Sequence, residues 1–315
     1  MSSAEHTILN QYYYADDYNE VIFPRGYMQI ADCLASELSI KHANVTKIDY
    51  SSKPVVVITE NGERFEADYV VSTIPLGVLQ NNENLFNPKL SEDENKKQAL
   101  ENLGMGTMDK MYLIFDNAFW DKKQYNPGDN NTYIHRVVYP GEKSTKSWKF
   151  FLNVNTFFKE SILLAFHTGS TAKIMDGKDD DELEKESQQI LQKMFPNSKV
   201  NEPKIVRTQW TEDPWSLGSY SFVKTSGSSD DFDRLAEPLE DKVFFAGEAT
   251  VRCSFGTVHG AYTSGYRAAR EILALEDNID SEEEQLRHGI EKWQIVGNPK
   301  PTEDMIPIRC GGYAE

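Results

Sequence analysis

Two apolar runs, each broken off by a residue that ends a strand, constrain this chain most. Tyr69-Val-Val-Ser-Thr-Ile-Pro75 and Val243-Phe-Phe-Ala-Gly-Glu248 both read as buried strands running into a turn that contains Pro or Gly. In open α/β sheets, ligands collect at such carboxyl ends. The second run leads within ten residues to a helix opening Thr257-Val-His-Gly-Ala261. Free backbone N–H groups at a helix start favour an anion. Short side chains at Gly260, Ala261 and Gly265 would let another backbone or a flat ligand come close. A tightly packed structural helix would carry the same residues.

The rest of the chain alternates strands and helices, which predicts an α/β fold. Residues 24–40 begin with a turn and continue as a helix, with Ile30, Leu34 and Leu38 at helical spacing. Val45–Tyr50, Pro54–Thr59 and Arg64–Ser72 read as strands, the last two joined by a hairpin turn with Asn61-Gly62 at its centre. A helix capped by Ser91 is expected to reach Leu103. Met111–Phe115, Phe150–Asn155 and Ile162–His167 read as strands, and residues 121–131 as a polar surface loop. Asp179–Phe195 is an amphipathic helix with Leu183, Ile190, Leu191 and Met194 on one face. Thr257–Leu275 is a helix, and an acidic, then Pro-rich tail follows from Glu276.

Composition narrows the class of function. The 315 residues carry 33 basic and 50 acidic side chains, a formal charge of −17. That balance repels nucleic acid and attracts polycations. No apolar run reaches bilayer length, and the opening residues lack a basic segment followed by an apolar one. Cys33, Cys253 and Cys310 are odd in number and far apart, which predicts neither a zinc site nor a disulfide framework and suits a reducing, cytoplasmic setting. Six scattered histidines suggest no metal centre.

Four motifs then occur in one order: Pro75-Leu-Gly-Val-Leu79, Leu103-Gly-Met-Gly-Thr-Met-Asp-Lys110, Trp210-Thr-Glu-Asp-Pro-Trp-Ser-Leu-Gly-Ser-Tyr220, and Phe245-Ala-Gly-Glu248 with Thr257-Val-His-Gly-Ala261. In this order, and from about Phe23 to Leu273, the chain resembles the flavin-containing amine oxidases, with the polyamine (spermine) oxidases nearest among them. The resemblance implies an α/β fold that is the carboxy-terminal part of a two-domain FAD-linked amine oxidase, an incomplete Rossmann-like FAD domain joined to a mixed-sheet substrate domain. It divides the chain into a partial FAD-binding domain over 1–80, a substrate domain over 81–240, a return to the FAD-binding domain over 241–275, and the tail over 276–315.

Roles follow from the same resemblance. Lys110 matches the family lysine that holds a water beside flavin N5. Val45, Pro75, Trp210, Trp215, Gly247, Glu248, Thr257 and Val258 match positions that contact or flank the cofactor. Tyr220, Phe255 and Gly256 match the substrate side. The helix from Thr257 would point its positive end at the flavin pyrimidine and stabilise charge on the reduced ring. His259 sits inside this last motif, whose chemistry needs no histidine. The implied reaction oxidises polyamine secondary amines with FAD as cofactor; nucleic acid, membrane and metal are not expected as partners.

One departure stands out. The family opens with a strand, a Gly-x-Gly-x-x-Gly turn and a helix that hold the FAD pyrophosphate, and no glycine cluster here satisfies that pattern. The expectation is that the amino-terminal FAD-binding segment is missing, through truncation of the gene model or its supply as a separately encoded piece. A non-catalytic steroid-binding protein, or an inactive remnant of an amine oxidase, is the alternative outcome.

Overall fold

The computed structural model describes residues 26–36, 38–121, 134–136, 148, 150–154 and 160–277. The loop expected after residue 121 and the tail beyond residue 277 lie outside them. Among the described residues, the chain forms one compact unit from Tyr27–Met105 and Tyr220 onward, and a second from Gly106–Ser219.

The first unit opens with helix α1 (Met28–Ala35), shorter than the expected span to residue 40. The N–H and hydroxyl of Ser36 both turn back to the Cys33 carbonyl and close it. Strands β1 (Val45–Asp49), β2 (Val55–Thr59) and β3 (Arg64–Ala67) form an antiparallel meander, and β5 (Phe86–Asn87) pairs parallel to β1. The Asn61-Gly62 turn closes as expected, with Gly62 N–H donating to the Thr59 carbonyl at 2.9 Å.

The expected single strand over Arg64–Ser72 is two. After β3 the chain leaves the meander, and β4 (Val70–Ser72) pairs in parallel with β13 (Val243–Phe245). Strand β13 is buried along its whole length. Val243 and Phe245 face a core that includes Leu76, Leu79, Leu103 and Phe232. Phe244 and Ala246 pack against Ala268 and Ile272 of α7 (Val258–Asp277). Burial on both faces explains why this strand reads as an unbroken apolar run.

Between β4 and β13 lie α2 (Leu76–Asn81), α3 (Glu94–Asn102), β6 (Leu103–Gly106), β12 (Tyr220–Val223) and α6 (Asp230–Ala236). Helix α3 is capped by Asp93, whose carboxylate accepts from Lys96 N–H at 2.9 Å, and not by Ser91. Ser91 sits in a preceding 3-10 turn, so the α-helix starts two residues later than Ser91 would place it.

The second unit is a five-stranded sheet in the order β11-β7-β10-β9-β8. Its strands are β7 (Met108–Ile114), β8 (Ile134–Arg136), β9 (Phe150–Asn153), β10 (Ile162–Thr168) and β11 (Lys204–Arg207). Helices α4 (Ser170–Asp176) and α5 (Asp180–Met194) accompany it. Leu183, Ile190 and Leu191 of α5 join Met111, Leu113, Phe151 and Leu163 in one core. Along β7 the side chains alternate, so Asp109, Met111 and Leu113 are buried while Lys110 is exposed.

No helix among the described residues is long and apolar enough to cross a membrane. No group of three or more His, Cys, Asp or Glu side chains among them could hold a metal ion. Cys33 is a free, exposed thiol.

Candidate functional site

Where β4 and β13 end, their turns enclose a cavity of about 340 Å³ within the first unit. Pro75 precedes α2 in an extended conformation and lines the cavity, as do Gly247 and Glu248 after β13. Ala261 and Gly265 of α7 complete the wall. Gly247 has φ +122°, which a side chain rarely tolerates, and a Cβ there would meet nothing within 4 Å. Its N–H donates to Ser264 Oγ at 2.7 Å, so the bare turn is fixed to the helix.

Glu248 holds this corner together. Its carboxylate accepts from the hydroxyl and N–H of Ser221, at 2.7 and 3.1 Å, and from Gly256 N–H at 2.6 Å. Burial pushes its carboxyl up from the usual glutamate range, and the three donors work in the opposite direction. One side chain thus ties β12 to the approach of α7. Gly256 has φ +68° and packs on Tyr220, while Phe255 stacks on Phe232 at 4.7 Å.

The helix start is equally constrained. Thr257 Oγ1 accepts from Gly260 N–H at 3.1 Å and donates to the Ser254 carbonyl at 2.6 Å. The first helical bond runs from Ala261 N–H to the Thr257 carbonyl. A Cβ at Gly260 would lie 2.0 Å from the Ser254 carbonyl oxygen, so only glycine fits there. His259 is exposed and approaches Thr257 Oγ1 at 3.3 Å.

Three side chains that the sequence reading passed over secure the cavity from behind. Arg267 donates to the Phe245 carbonyl at 2.6 Å and to Thr250 Oγ1 at 3.0 Å, locking α7 to β13. Ser221 fixes Glu248. Lys96 is wholly buried, with Nζ 4.1 Å from the centroid of the Phe245 ring, and Phe245 itself lines the cavity. Its ammonium donates to the carbonyls of Arg234 and Leu235, at 3.0 and 2.7 Å, and to that of Glu237, closing the end of α6. Burial lowers it to about 7. In the sequence Lys96 is one of two adjacent lysines in a charged helix, and nothing there sets it apart.

Of the expected site residues in the first unit, Pro75, Gly247 and Glu248 line the cavity. Tyr220, Phe255, Gly256, Thr257 and Val258 lie at β12 and the approach to α7 without lining it, and Val258 is exposed. Val45 is elsewhere in that unit: it starts β1, pairs with Thr59 and packs against the core, without lining the cavity. Lys110, Trp210 and Trp215 belong to the second unit. Trp210 is 39% and Trp215 61% exposed.

The corner suits part of a flavin dinucleotide. Gly247 and Gly265 present bare backbone to an apolar cavity, and the helix start supplies N–H groups ahead of its first internal bond. These features fit a flat ring or a polyhydroxy chain.

Comparison with known proteins agrees. The family model described as flavin containing amine oxidoreductase matches residues 2–273. Human lysine-specific histone demethylase 2 is 36% identical over 252 residues, covering 79% of this chain and 30% of that protein. Polyamine oxidase 2 of Arabidopsis thaliana is 34% identical, covering 78% of this chain and 47% of its own length. The bovine peroxisomal N(1)-acetyl-spermine/spermidine oxidase is 30% identical, covering 81% and 55%. The chain thus spans between about a third and about half of these relatives. A putrescine oxidase redesigned in its cofactor binding superposes with a TM-score of 0.64 at 18% identity, over 80% of this chain and 53% of that one, and shares its fold. FAD is the cofactor these findings support, and the chain belongs to the flavin-containing amine oxidoreductase family.

Proposed function

We propose that this chain forms the flavin-ring side and the amine-side loop of an FAD-dependent oxidase acting on secondary amines of polyamines. The observation that carries the reading is the cavity at the ends of β4 and β13, where Pro75, Gly247 and Glu248 meet the small residues of α7. The chemistry that FAD supplies when bound is acceptance of a hydride from the carbon beside the amine nitrogen, with dioxygen as final oxidant and peroxide as product.

The chain's own residues would do the rest. The N–H groups at the start of α7 favour negative charge near them. Lys110 would hold a water on the amine side, the role its motif carries in the family. Trp210 and Trp215 would offer aromatic faces to the substrate, the role their motif carries in the family, and apolar surroundings of that kind disfavour protonation of the reacting nitrogen. The same faces can hold the remaining ammonium groups of a polyamine. A charge of −17 draws a polycation to the molecule.

The test uses the purified chain supplied with FAD, alone and together with an amino-terminal cofactor segment from a relative. Yellow protein that bleaches anaerobically with spermine supports the proposal. Bleaching with a dimethyl-lysine peptide but not with spermine would move the assignment to lysine demethylation. Saturable steroid binding without peroxide would replace it with a binding protein. Protein that stays colourless in both forms would end the oxidase reading.

A further inference from the structure

The second unit contains a buried carboxylate that none of the motif roles uses. Asp109 is 4% exposed and lies on β7, one residue before Lys110. Its Oδ1 accepts from Thr208 Oγ1 and from Trp210 N–H, both at 2.9 Å. Its Oδ2 has no partner among the described residues. Thr208 in turn binds Lys110 on both sides of its backbone. Lys110 N–H donates to Thr208 Oγ1 at 2.9 Å, and Thr208 N–H donates to the Lys110 carbonyl at 3.0 Å.

This network starts where regular pairing stops. The ladder between β11 and β7 ends at Arg207 and Met111. Beyond it the chain enters the loop that carries Trp210 and Trp215. The loop closes on itself through Gly218 N–H to the Trp210 carbonyl at 2.9 Å and Trp215 N–H to Asp213 Oδ1 at 2.9 Å. It returns to β7 through Ser219, whose Oγ accepts from Met108 N–H at 2.8 Å. Both ends of the loop are therefore fastened to the strand of Lys110, one by Asp109 with Thr208 and the other by Ser219.

We infer that Asp109 is a positioning residue, whose carboxylate clamps the Trp210 loop to β7 and so fixes Lys110 and Trp210 relative to each other. The unpartnered Oδ2 argues against a purely stabilising role, because an orphan buried acceptor works against stability. The inference rests on the proposed function insofar as Lys110 and Trp210 serve amine oxidation. The clamp itself is a property of the fold and is tested separately.

Amide hydrogen exchange on the full chain reads the clamp directly. In Asp109→Ala, amides of residues 208–219 should exchange about tenfold faster, the equivalent of one lost hydrogen bond. Amides of the β7–β10 ladder, such as Leu113 and Leu163, should keep their protection. Asp109→Asn retains an acceptor at Oδ1 and should restore the slow exchange. Should Asp109→Ala not fold, Thr208→Val removes the hydroxyl between Asp109 and Lys110 and should accelerate exchange at the Lys110 amide. Unchanged exchange in these variants, equal loss in loop and ladder, or no rescue by Asn would each overturn the clamp. With FAD supplied, flavin reduction by spermine should fall about tenfold in maximal rate in Asp109→Ala at an unchanged half-saturating amine concentration, and recover in Asp109→Asn. A normal rate with a loosened loop would overturn the positioning role. If the unsubstituted chain does not reduce flavin, the oxidase reading fails by itself, and exchange still decides the clamp.

Discussion

Glu248 in the first unit and Asp109 in the second are both shielded carboxylates at the edge of a strand, and they are satisfied very differently. Glu248 uses both oxygens, on three donors from two separate segments. Asp109 places two donors on one oxygen and none, among the described residues, on the other. The first arrangement holds a cavity wall whose parts come from distant places in the chain. The second holds one loop to a strand that its own ladders already secure. The contrast teaches that burial alone does not reveal what a charge contributes; the number and origin of its partners do.

If saturation is what matters, the most saturated charge should be the hardest to lose. Lys96, on the Glu248 side of the molecule, closes three carbonyls. Lys96→Met should cost about 3 kcal/mol in a urea titration, because those carbonyls lose their donor in a dry setting. The same lysine gives a pH signature. Between pH 7 and 10.5 the unfolded chain holds a proton that the folded chain releases, so this group's contribution to stability rises with pH across that window. The gap between the unsubstituted chain and Lys96→Met should widen accordingly; a constant gap would contradict the assignment.

Glu248→Ala should cost about 2 kcal/mol and loosen Gly256, seen as faster amide exchange at the approach to α7. A smaller effect is expected from acidity. The Glu248 carboxyl is raised, so the folded chain keeps a proton that the unfolded chain has already released. Its contribution therefore falls as pH climbs from the usual glutamate range through the raised value. Glu248→Gln, which cannot ionise, should remove that fall, and thermal melts across the acidic range would show it. The smallest change should come from Asp109→Asn, within about 0.5 kcal/mol, since an amide meets the same donors without an unpaired charge. A loss as large as that of Glu248→Ala would erase the contrast between the two carboxylates.

Much of the first unit was legible because its signals are local. The apolar run of β13, the bare Gly247 and the small residues of α7 stand within about 25 positions of one another, and each states its own backbone requirement. The hairpin at Asn61-Gly62 is of the same kind. What escaped the sequence was pairing at a distance. Arg64–Ser72 has one continuous pattern of strand-forming residues, yet its last part leaves its neighbours for β13. Ser221 and Glu248 are 27 positions apart, and Thr208 and Asp109 are 99. Lys96 looked like an ordinary solvated charge because its burial depends on α6, whose carbonyls arrive about 140 positions later. Asp109 was overlooked beside Lys110 because alternation along a strand says which face a residue takes, not which donors wait there.

The parallel pairing of β4 with β13 has a consequence for biosynthesis. Residues 70–72 find a strand partner only at 243–245. At about 5–20 residues per second, a ribosome would need roughly ten to thirty-five seconds to deliver it. Throughout that interval the second unit, whose strands all fall inside the gap, can emerge and close while the cavity does not yet exist. The cavity at the ends of these strands therefore cannot close before residues 243–245 have been made, whatever the strength of any single contact.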